Sequence, residues 1–266
     1  MDKITSLQNA KVKQAVRLRD RRERDETDLF LIEGYRELKR AIDARRSIQS
    51  IYFCPELFLG DNEQQLMEKS QAELIGCTPE VFAKISYRDR PDGLLGVALQ
   101  KHLNIGNLDE FLSNNPFLVM AESIEKPGNL GTILRSSDAA GVDAVIVCDP
   151  TTDIHNPNVV RSSVGTLFTQ PVIEADGQEM LALLRRRSIA IVAATPHAAK
   201  SYTDADFSRP VAIAVGTEQY GLSDEWMKMA DCQVRIPMLG VADSLNVASA
   251  TTLLLYEVLR QRGLLR

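Results

Sequence analysis

Residues 234–250 have the sequence VRIPMLGVADSLNVASA, which predicts a short strand, a loop and the start of a long helix. The strand is predicted over 233–238, where a proline prevents further pairing. Asp243 or Ser244 is expected to cap the helix, because both side chains accept hydrogen bonds from free backbone N–H groups. Residues 245–259 then give a broad apolar helix face. Taken alone, this pattern is also typical of an ordinary buried C-terminal helix.

A second apolar run ends in a glycine-rich loop. Residues 211–215 are predicted to form a strand buried on both faces, as in a parallel sheet. Strand ends of this kind carry ligand sites in α/β folds. The spacing of Gly216 and Gly221 resembles a phosphate loop, but Leu222 stands where such a loop needs lysine, and Glu218 would repel phosphate. Nucleoside triphosphate binding is therefore excluded, and a neutral or cationic ligand is expected.

A third segment has the pattern of a strand, a turn rich in proline and glycine, and a helix. The strand is predicted over residues 117–124, directly before the turn. Asn129, Thr132 and Ser136 share one face of the helix that has little to bury, and Arg135 lies beside them. The alternatives are a plain surface charge for Arg135 and a cap or turn residue for Asn129.

These three segments, in this order, resemble the three motifs of the SpoU/TrmH family of RNA ribose 2′-O-methyltransferases in the SPOUT superfamily. The resemblance spans about residues 114–266, and the three motifs are specific together although each is weak alone. Thr217 stands where many members have alanine. The matching segments are Asn129–Arg135, Gly216–Leu222, Ile236–Met238 and Ser244–Ala248.

The resemblance implies a C-terminal α/β methyltransferase domain with a deep trefoil knot, in which the region 236–248 threads under the loop at Gly216. It implies S-adenosylmethionine as the methyl donor, RNA as the substrate, no metal, and a homodimer in which Arg135 completes the partner subunit's site. The implied donor-binding residues are Gly216, Thr217, Gly221, Ile236, Met238 and Leu245. The implied polar residues of the catalytic pocket are Asn129, Arg135, Glu218, Ser244 and Asn246.

Residues 1–100 are predicted to form a smaller N-terminal α/β/α domain, because strand and helix patterns alternate along them. Its role as an RNA-binding domain is implied by a further resemblance. The segments Ile4–Asn9 and Phe30–Gly34 resemble the N-terminal domain of rRNA-directed family members, which is similar to kink-turn-binding ribosomal proteins. The polar residues 101–116 are interpreted as a linker. The methyltransferase domain is then expected over residues 117–266.

Charge is distributed unevenly along the chain. The 266 residues have a net charge of −5, which argues against a simple basic RNA-binding domain. Residues 1–24 nevertheless hold eight basic residues against three acidic ones, and an amphipathic helix is predicted over residues 9–24. A basic arm on an acidic body can bind phosphates locally. Two interpretations stay open: a contact with the RNA backbone, or a solvated helix packed on the body.

The composition indicates a soluble cytoplasmic protein. The apolar fraction is 44%, and no apolar run is long enough to span a membrane. The N-terminus is polar and charged, so no signal peptide is expected. Four cysteines without CxxC spacing indicate buried free thiols, and the three histidines have no metal-ligand spacing.

The predicted function is S-adenosylmethionine-dependent methylation of a ribose 2′-hydroxyl in RNA, and the N-terminal domain favours 23S rRNA. The alternatives are a tRNA 2′-O-methyltransferase, an antibiotic-resistance rRNA methyltransferase, and a non-catalytic RNA-binding or ribosome-assembly protein. Every polar motif position is filled. This favours an enzyme over a binding protein that has lost catalysis.

Overall fold

The structure, a computed structural model, describes residues 3–265 and separates into two units. The first unit holds the chain up to Lys101 together with Asp153–Thr169. The second unit holds His102–Thr152 and the chain from Gln170 onward. The chain therefore leaves the second unit once, contributes a short segment to the first, and returns.

A four-stranded sheet forms the centre of the first unit. Its strands are β1 (Leu29–Glu33), β2 (Ile48–Phe53), β3 (Glu73–Gly76) and β4 (Leu94–Leu99), in the order β1-β4-β2-β3. β4 is antiparallel to β1 and β2, whereas β2 and β3 are parallel. The helices are α1 (Ala10–Arg17), α2 (Arg21–Thr27), α3 (Tyr35–Asp43), α4 (Glu63–Ser70) and α5 (Pro79–Ile85).

The single helix predicted over residues 9–24 is wrong in its extent, because Leu18–Asp20 separates α1 from α2. The break has a side-chain cause. The Arg24 guanidinium, 1% exposed, donates to two backbone carbonyls of the break at 2.9 and 2.7 Å. A continuous helix would use those oxygens for its own ladder. Arg24 also pairs with Asp153 at 2.6 Å, so this basic residue is structural.

A seven-stranded parallel sheet forms the centre of the second unit, which confirms the parallel sheet predicted from residues 211–215. Its order is β7-β6-β5-β10-β8-β11-β9. The strands are β5 (Phe117–Glu122), β6 (Ala144–Cys148), β7 (Val172–Ala175), β8 (Ala190–Ala194), β9 (Lys200–Ser201), β10 (Val211–Val215) and β11 (Cys232–Arg235). The remaining helices are α6 (Pro127–Ala140), α7 (Pro157–Ser162, in the first unit), α8 (Gly177–Arg186), α9 (Asp224–Met229) and α10 (Val247–Gln261).

Strands β5 and β10 are neighbours in the middle of this sheet, with Val211 paired to Phe117 and Val215 to Ala121. Every residue of both strands is buried. Because the strands are parallel, their carboxyl ends meet at one edge of the sheet, where ligand sites of such folds lie. Helix α6, which follows β5, carries the first motif, and the loop after β10 carries the second.

The segment interpreted as a linker is ordered against the second unit. Leu103 forms a β-bridge with Ile173, and a 3-10 helix spans Ile105–Glu110. Leu108 is 1% exposed and belongs to the unit's core. The polar residues of this segment cap its turns, as Asn104 does by accepting from the Gly106 N–H at 2.9 Å. The polar composition of residues 101–116 therefore reflects capped turns in this segment.

The cap predicted at Asp243 or Ser244 is wrong. Helix α10 begins at Val247, and its cap is Asn246, whose Oδ1 accepts from the Ala248 N–H at 3.0 Å. Both expected caps lie in the exposed loop before the helix. The residue expected only in the catalytic pocket thus also starts the helix.

Arg262 closes the second unit directly after α10. Its guanidinium donates to the backbone carbonyls of Asn115, Phe207 and Arg209 at 2.9, 3.1 and 2.8 Å. It also lies over the Phe117 ring, 5.3 Å from the ring centre. Burial lowers the pKa of this guanidinium. The end of the chain is thereby joined to the entry of β5.

Residues 3–265 contain no helix that is both long and apolar enough to cross a bilayer. The same residues contain no cluster of three or more histidine, cysteine or acidic side chains placed to hold a metal ion. The cysteines are free thiols, three of them buried and Cys232 half-buried.

Candidate active site

Three side chains, one from each motif, form a chain of hydrogen bonds. Asn246 Nδ2 donates to Asn129 Oδ1 at 3.0 Å, and Asn129 Nδ2 donates to Glu218 Oε1. Asn129 lies in the first turn of α6, Glu218 in the loop after β10, and Asn246 at the cap of α10. The sequence expectation placed these residues in one pocket, and their side chains are in contact here.

Only one of the two oxygens of the Glu218 carboxylate has a hydrogen-bond partner within residues 3–265. Its Oε1 accepts from Asn129, whereas its Oε2 is buried without a partner among the described residues. A buried polar atom left without a partner costs about 1–3 kcal/mol, and more when it is charged. This oxygen therefore favours a ligand that brings an N–H, O–H or positive charge. That chemistry agrees with the neutral or cationic ligand expected from the loop.

The loop after β10 closes on itself directly above Gly216. The Thr217 and Gly221 backbones exchange two N–H to carbonyl hydrogen bonds, both 3.0 Å. A Cβ on Gly216 would lie 2.1 Å from the Gly221 carbonyl oxygen, so only glycine fits at this position. Gly221 has φ 71°, which also favours glycine. The two glycines therefore permit a tight turn, and they do not form a phosphate-binding loop.

Glu122, which the sequence analysis missed, anchors the far end of this loop. It is the last residue of β5 and is 6% exposed. Its Oε2 accepts from the Ser223 N–H at 2.8 Å. A carboxylate at the end of an otherwise apolar run was the signal available in the sequence. Glu122 thus connects the loop that carries Glu218 to the neighbouring strand.

Helices α6 and α10 pack against each other and share a polar contact. The Ser136 and Thr252 hydroxyls lie 2.7 Å apart, and Thr252 Oγ1 donates to the Ala248 carbonyl at 2.8 Å. This contact holds together the two helices that carry Asn129 and Asn246. Ser136 therefore serves packing within the unit.

The structure does not bring Arg135 or Ser244 into this hydrogen-bond chain. Both residues are exposed, and neither side chain makes a hydrogen bond or ion pair with any part of the chain that the structure describes. Arg135 follows Asn129 by six positions, which turns it about 120° away around the helix. Its guanidinium therefore points away from the Asn129–Glu218 contact.

The segment between β11 and α10 exposes apolar side chains beside the site. Ile236 and Met238 are half-buried, and Leu245 is 37% exposed. Leu239 and Val241 are fully exposed. Apolar side chains clustered in one exposed loop indicate a surface that binds a ligand or another chain.

Two family models match the chain. The model of the SpoU rRNA Methylase family matches residues 116–256, and that of an MRM3-like substrate binding domain matches residues 9–96. The first match contains Asn129, Glu218 and Asn246. The second lies within the first unit.

Similar proteins cover nearly the whole chain. It is 31% identical, over 98% of its length, to the 23S rRNA (uridine(2479)-2′-O)-methyltransferase of Streptomyces viridochromogenes, of which it covers 92%. It is 28% identical, over 97% of its length, to the 23S rRNA (guanosine(2553)-2′-O)-methyltransferase RlmP of Bacillus subtilis (strain 168), of which it covers 99%.

Solved structures of RNA methyltransferases have a similar fold over nearly the whole chain. A crystal structure of an RNA 2′-O ribose methyltransferase has a TM-score of 0.86 at 40% identity and covers 98% of this chain and 100% of that one. The AdoMet-bound rRNA methyltransferase from Sinorhizobium meliloti has a TM-score of 0.87 at 31% identity, with 97% of each chain covered.

Proposed function

The chain belongs to the SpoU rRNA methylase family and is an S-adenosylmethionine-dependent RNA ribose 2′-O-methyltransferase, and we propose that its substrate is 23S rRNA. The rRNA methyltransferases among the similar proteins support this substrate, and the hydrogen-bond chain from Asn246 through Asn129 to Glu218 is the observation that carries the active site. It unites all three motifs at the carboxyl edge of a parallel sheet. A protein that only binds RNA has no need of such a pocket.

The residues at this edge fit the methyl donor. The unpartnered Glu218 Oε2 suits a cationic ligand, and the exposed apolar loop suits an adenine ring. S-adenosylmethionine supplies a methyl group on a positively charged sulfur when it is bound. The residues proposed to hold it are Gly216, Thr217, Gly221, Ile236, Met238 and Leu245.

The proposed roles of the polar residues follow from their contacts. Asn246 orients the Asn129 amide, because it donates to Oδ1 and leaves Nδ2 to face Glu218. Glu218 is held as an acceptor and brings negative charge to the pocket. Ser244 lies in the exposed loop before α10, where it can donate to a bound ligand or to RNA.

Arg135 is proposed to act electrostatically on the target nucleotide. A guanidinium keeps its proton under ordinary conditions and has no lone pair in its charged form, so it is a poor general base. Its positive charge can stabilise the alkoxide that forms at the 2′-oxygen and can hold the adjacent phosphate. The exposed, unpartnered position of Arg135 supports a role toward a molecule outside its own subunit.

We further propose a homodimer, in which Arg135 completes the partner's site, and a deep trefoil knot formed by residues 236–248. Leu253 and Tyr256 lie on one face of α10 and are 40% and 42% exposed. Apolar side chains exposed together support the proposal that a second subunit covers this face. Residues 1–100 are proposed as the substrate-binding domain, which the family-model match over residues 9–96 supports. An rRNA substrate and free thiols support a cytoplasmic location.

The test is methyl transfer by the full-length protein from radiolabelled S-adenosylmethionine to transcripts of 23S rRNA, 16S rRNA and tRNA. Label should enter 23S rRNA and be recovered as a 2′-O-methylated nucleoside, and ATP should not compete with the donor. Label on a base would contradict ribose methylation. Faster labelling of tRNA or 16S rRNA would contradict the proposed substrate.

A further inference from the structure

A groove lies between α1 and α5 in the first unit. Its volume is about 240 Å³, and its lining residues are Leu7, Val12, Lys13, Val16, Arg17 and Lys84. The floor is aliphatic and the rim carries three basic side chains. None of these lining residues is acidic. The groove therefore combines an apolar surface with uncompensated positive charge.

Hydrogen bonds hold both walls of the groove in place. The Arg19 guanidinium, just beyond α1, donates to the Lys84 and Ser86 carbonyls at 2.9 and 2.5 Å. The segment before α1 is tied to the edge of the sheet, because the Ile4 N–H donates to the Gly76 carbonyl at 2.8 Å. Leu7 follows that tie and is 45% exposed over the groove. The groove is thus built into the fold.

The basic residues of the groove differ from the other basic residues of the N-terminal segment. Lys3 pairs with Glu56, Lys11 with Glu73 and Arg22 with Glu26. In contrast, no carboxylate among residues 3–265 pairs with the three cations that line the groove. Two of these, at positions 13 and 17, lie one turn apart on the same face of α1. The groove therefore carries unpaired positive charge that is available to a binding partner.

We propose that this groove binds a single-stranded segment of the RNA substrate. Lys13 and Lys84 hold phosphates, and one unstacked base lies over the aliphatic floor beside the Arg17 guanidinium. Proteins recognise unpaired RNA by combining cations that contact the backbone with a planar group, an aromatic ring or an Arg guanidinium, on which a base stacks, and Arg17 is the planar group here. The volume is below the roughly 300–1,000 Å³ of pockets that enclose whole small molecules, so one flat group enters. The proposal rests on the proposed function in taking RNA as the ligand.

The experiment compares two full-length variants that remove equal charge from the same unit. The groove variant is Lys13→Gln, Arg17→Gln and Lys84→Gln. The matched control is Lys3→Gln, Lys11→Gln and Arg22→Gln, whose positive charges are already paired. The Kd for a 23S rRNA transcript is measured against salt concentration. The groove variant should bind about tenfold more weakly at low salt. Its salt slope should fall by about 1.4, since two phosphate contacts are lost and each single-strand contact contributes about 0.7.

The control variant should keep the wild-type salt slope, and both variants should keep wild-type donor affinity and melting temperature. Leu7→Ser tests the apolar floor separately. It should weaken binding of a short oligo(U) without changing the salt slope, and it should leave binding of duplex RNA of equal length unchanged. An unchanged affinity for Leu7→Ser would overturn the insertion of a base.

Two other outcomes would overturn the proposal as a whole. One is a groove variant that behaves as the control does. The other is a loss of binding to ribosomal particles with undiminished binding to naked rRNA, since the occupant would then be a protein. Absence of methyl transfer by the wild-type enzyme would instead refute the proposed function. The binding measurement does not depend on that reaction.

Discussion

Arg135 is the residue at which electrostatics and acid–base chemistry give different expectations. It is exposed on α6, and its guanidinium has no partner in the described part of its own chain. Acting as a base would require the guanidinium to lose its proton first, because the charged form has no lone pair with which to accept another.

Arg135→Ala should therefore reduce turnover by roughly two orders of magnitude or more, because the charge that stabilises the forming alkoxide is lost. Arg135→Lys keeps the charge without the planar fork and should retain part of the activity. Single-turnover kinetics with saturating RNA measures both. Donor affinity and melting temperature should stay at wild-type values, because the side chain is exposed. Equal inactivity of the lysine and alanine variants would argue against a purely electrostatic role.

Two buried thiols of the first unit make stability depend on pH in the alkaline range. Burial raises the pKa of Cys54 to about 11 and that of Cys77 to about 12, from an ordinary value of 9.0. Below pH 9.0 both thiols are protonated in the folded and unfolded chains, so their contribution is fully present. Above it the unfolded thiols ionise first, and the contribution is lost as pH rises toward the folded values.

We therefore expect the free energy of unfolding to fall between about pH 9 and pH 11, by up to about 1.4 kcal/mol per pH unit for each thiol. Urea unfolding at several pH values measures this slope. The double variant Cys54→Ala, Cys77→Ala should show a shallower decline, whereas Cys232→Ala should follow the wild type. Identical slopes in all three proteins would contradict the assignment to these thiols.

The motif residues could be predicted from the sequence, but their contacts could not. Asn129, Glu218 and Asn246 are far apart in the chain, and only the packing of α6 against α10 and the pairing of β5 with β10 bring them together. Glu122 escaped prediction because a terminal carboxylate of a strand is ordinarily solvated. Its partner is a backbone N–H, which leaves no pattern in the sequence.

At the scale of elements, helix α10 begins with a residue that has two functions. Asn246 Oδ1 caps the helix by accepting from the Ala248 N–H, and Nδ2 donates to Asn129. The sequence offered Asp243 and Ser244 as better-looking caps close by, so local propensity placed the helix start too early. The hydrogen bond from Asn246 to Asn129 favours Asn246 over these two residues as the cap. Similarly, α1 and α2 are separate because Arg24 folds back between them, which a periodic pattern cannot reveal.

The two functions of Asn246 can be separated by substitution. Asn246→Asp keeps an oxygen for the cap but loses the Nδ2 donor, so thermal stability should stay near wild type while methyl transfer falls. Asn246→Ala loses both, and the lost cap should cost about 0.5–2 kcal/mol. Urea unfolding and donor titration on both variants measure the split. Equal destabilisation of both variants would mean that the Asn129 contact, and not the cap, supports the helix.

At the scale of the whole molecule, the parallel sheet was predictable because the four strands in its middle are largely apolar, and the boundaries of the units were not. Residues 153–169 lie within the predicted methyltransferase part of the sequence but belong to the first unit. Their composition is ordinary, and their place depends on long-range contacts such as that of Asp153 with Arg24. The knot has no compositional signal, so it could come only from the family resemblance.

The proposed homodimer predicts complementation between two inactive variants. Subunits with Arg135→Ala are mixed with subunits carrying Asn246→Ala, and heterodimers are isolated by two different affinity tags. If the arginine acts across the interface, one of the two sites in each heterodimer has both residues intact and regains methyl transfer. Heterodimers that stay inactive would mean that Arg135 serves its own subunit.

Arg262 has a consequence for local unfolding of α10. It bonds carbonyls near residues 115 and 207–209 and lies over Phe117, and α10 carries Asn246. Fraying of the last turn of α10 would therefore have to break contacts with the entries of β5 and β10. The helix that carries Asn246 is thus anchored at the end that lies away from the site.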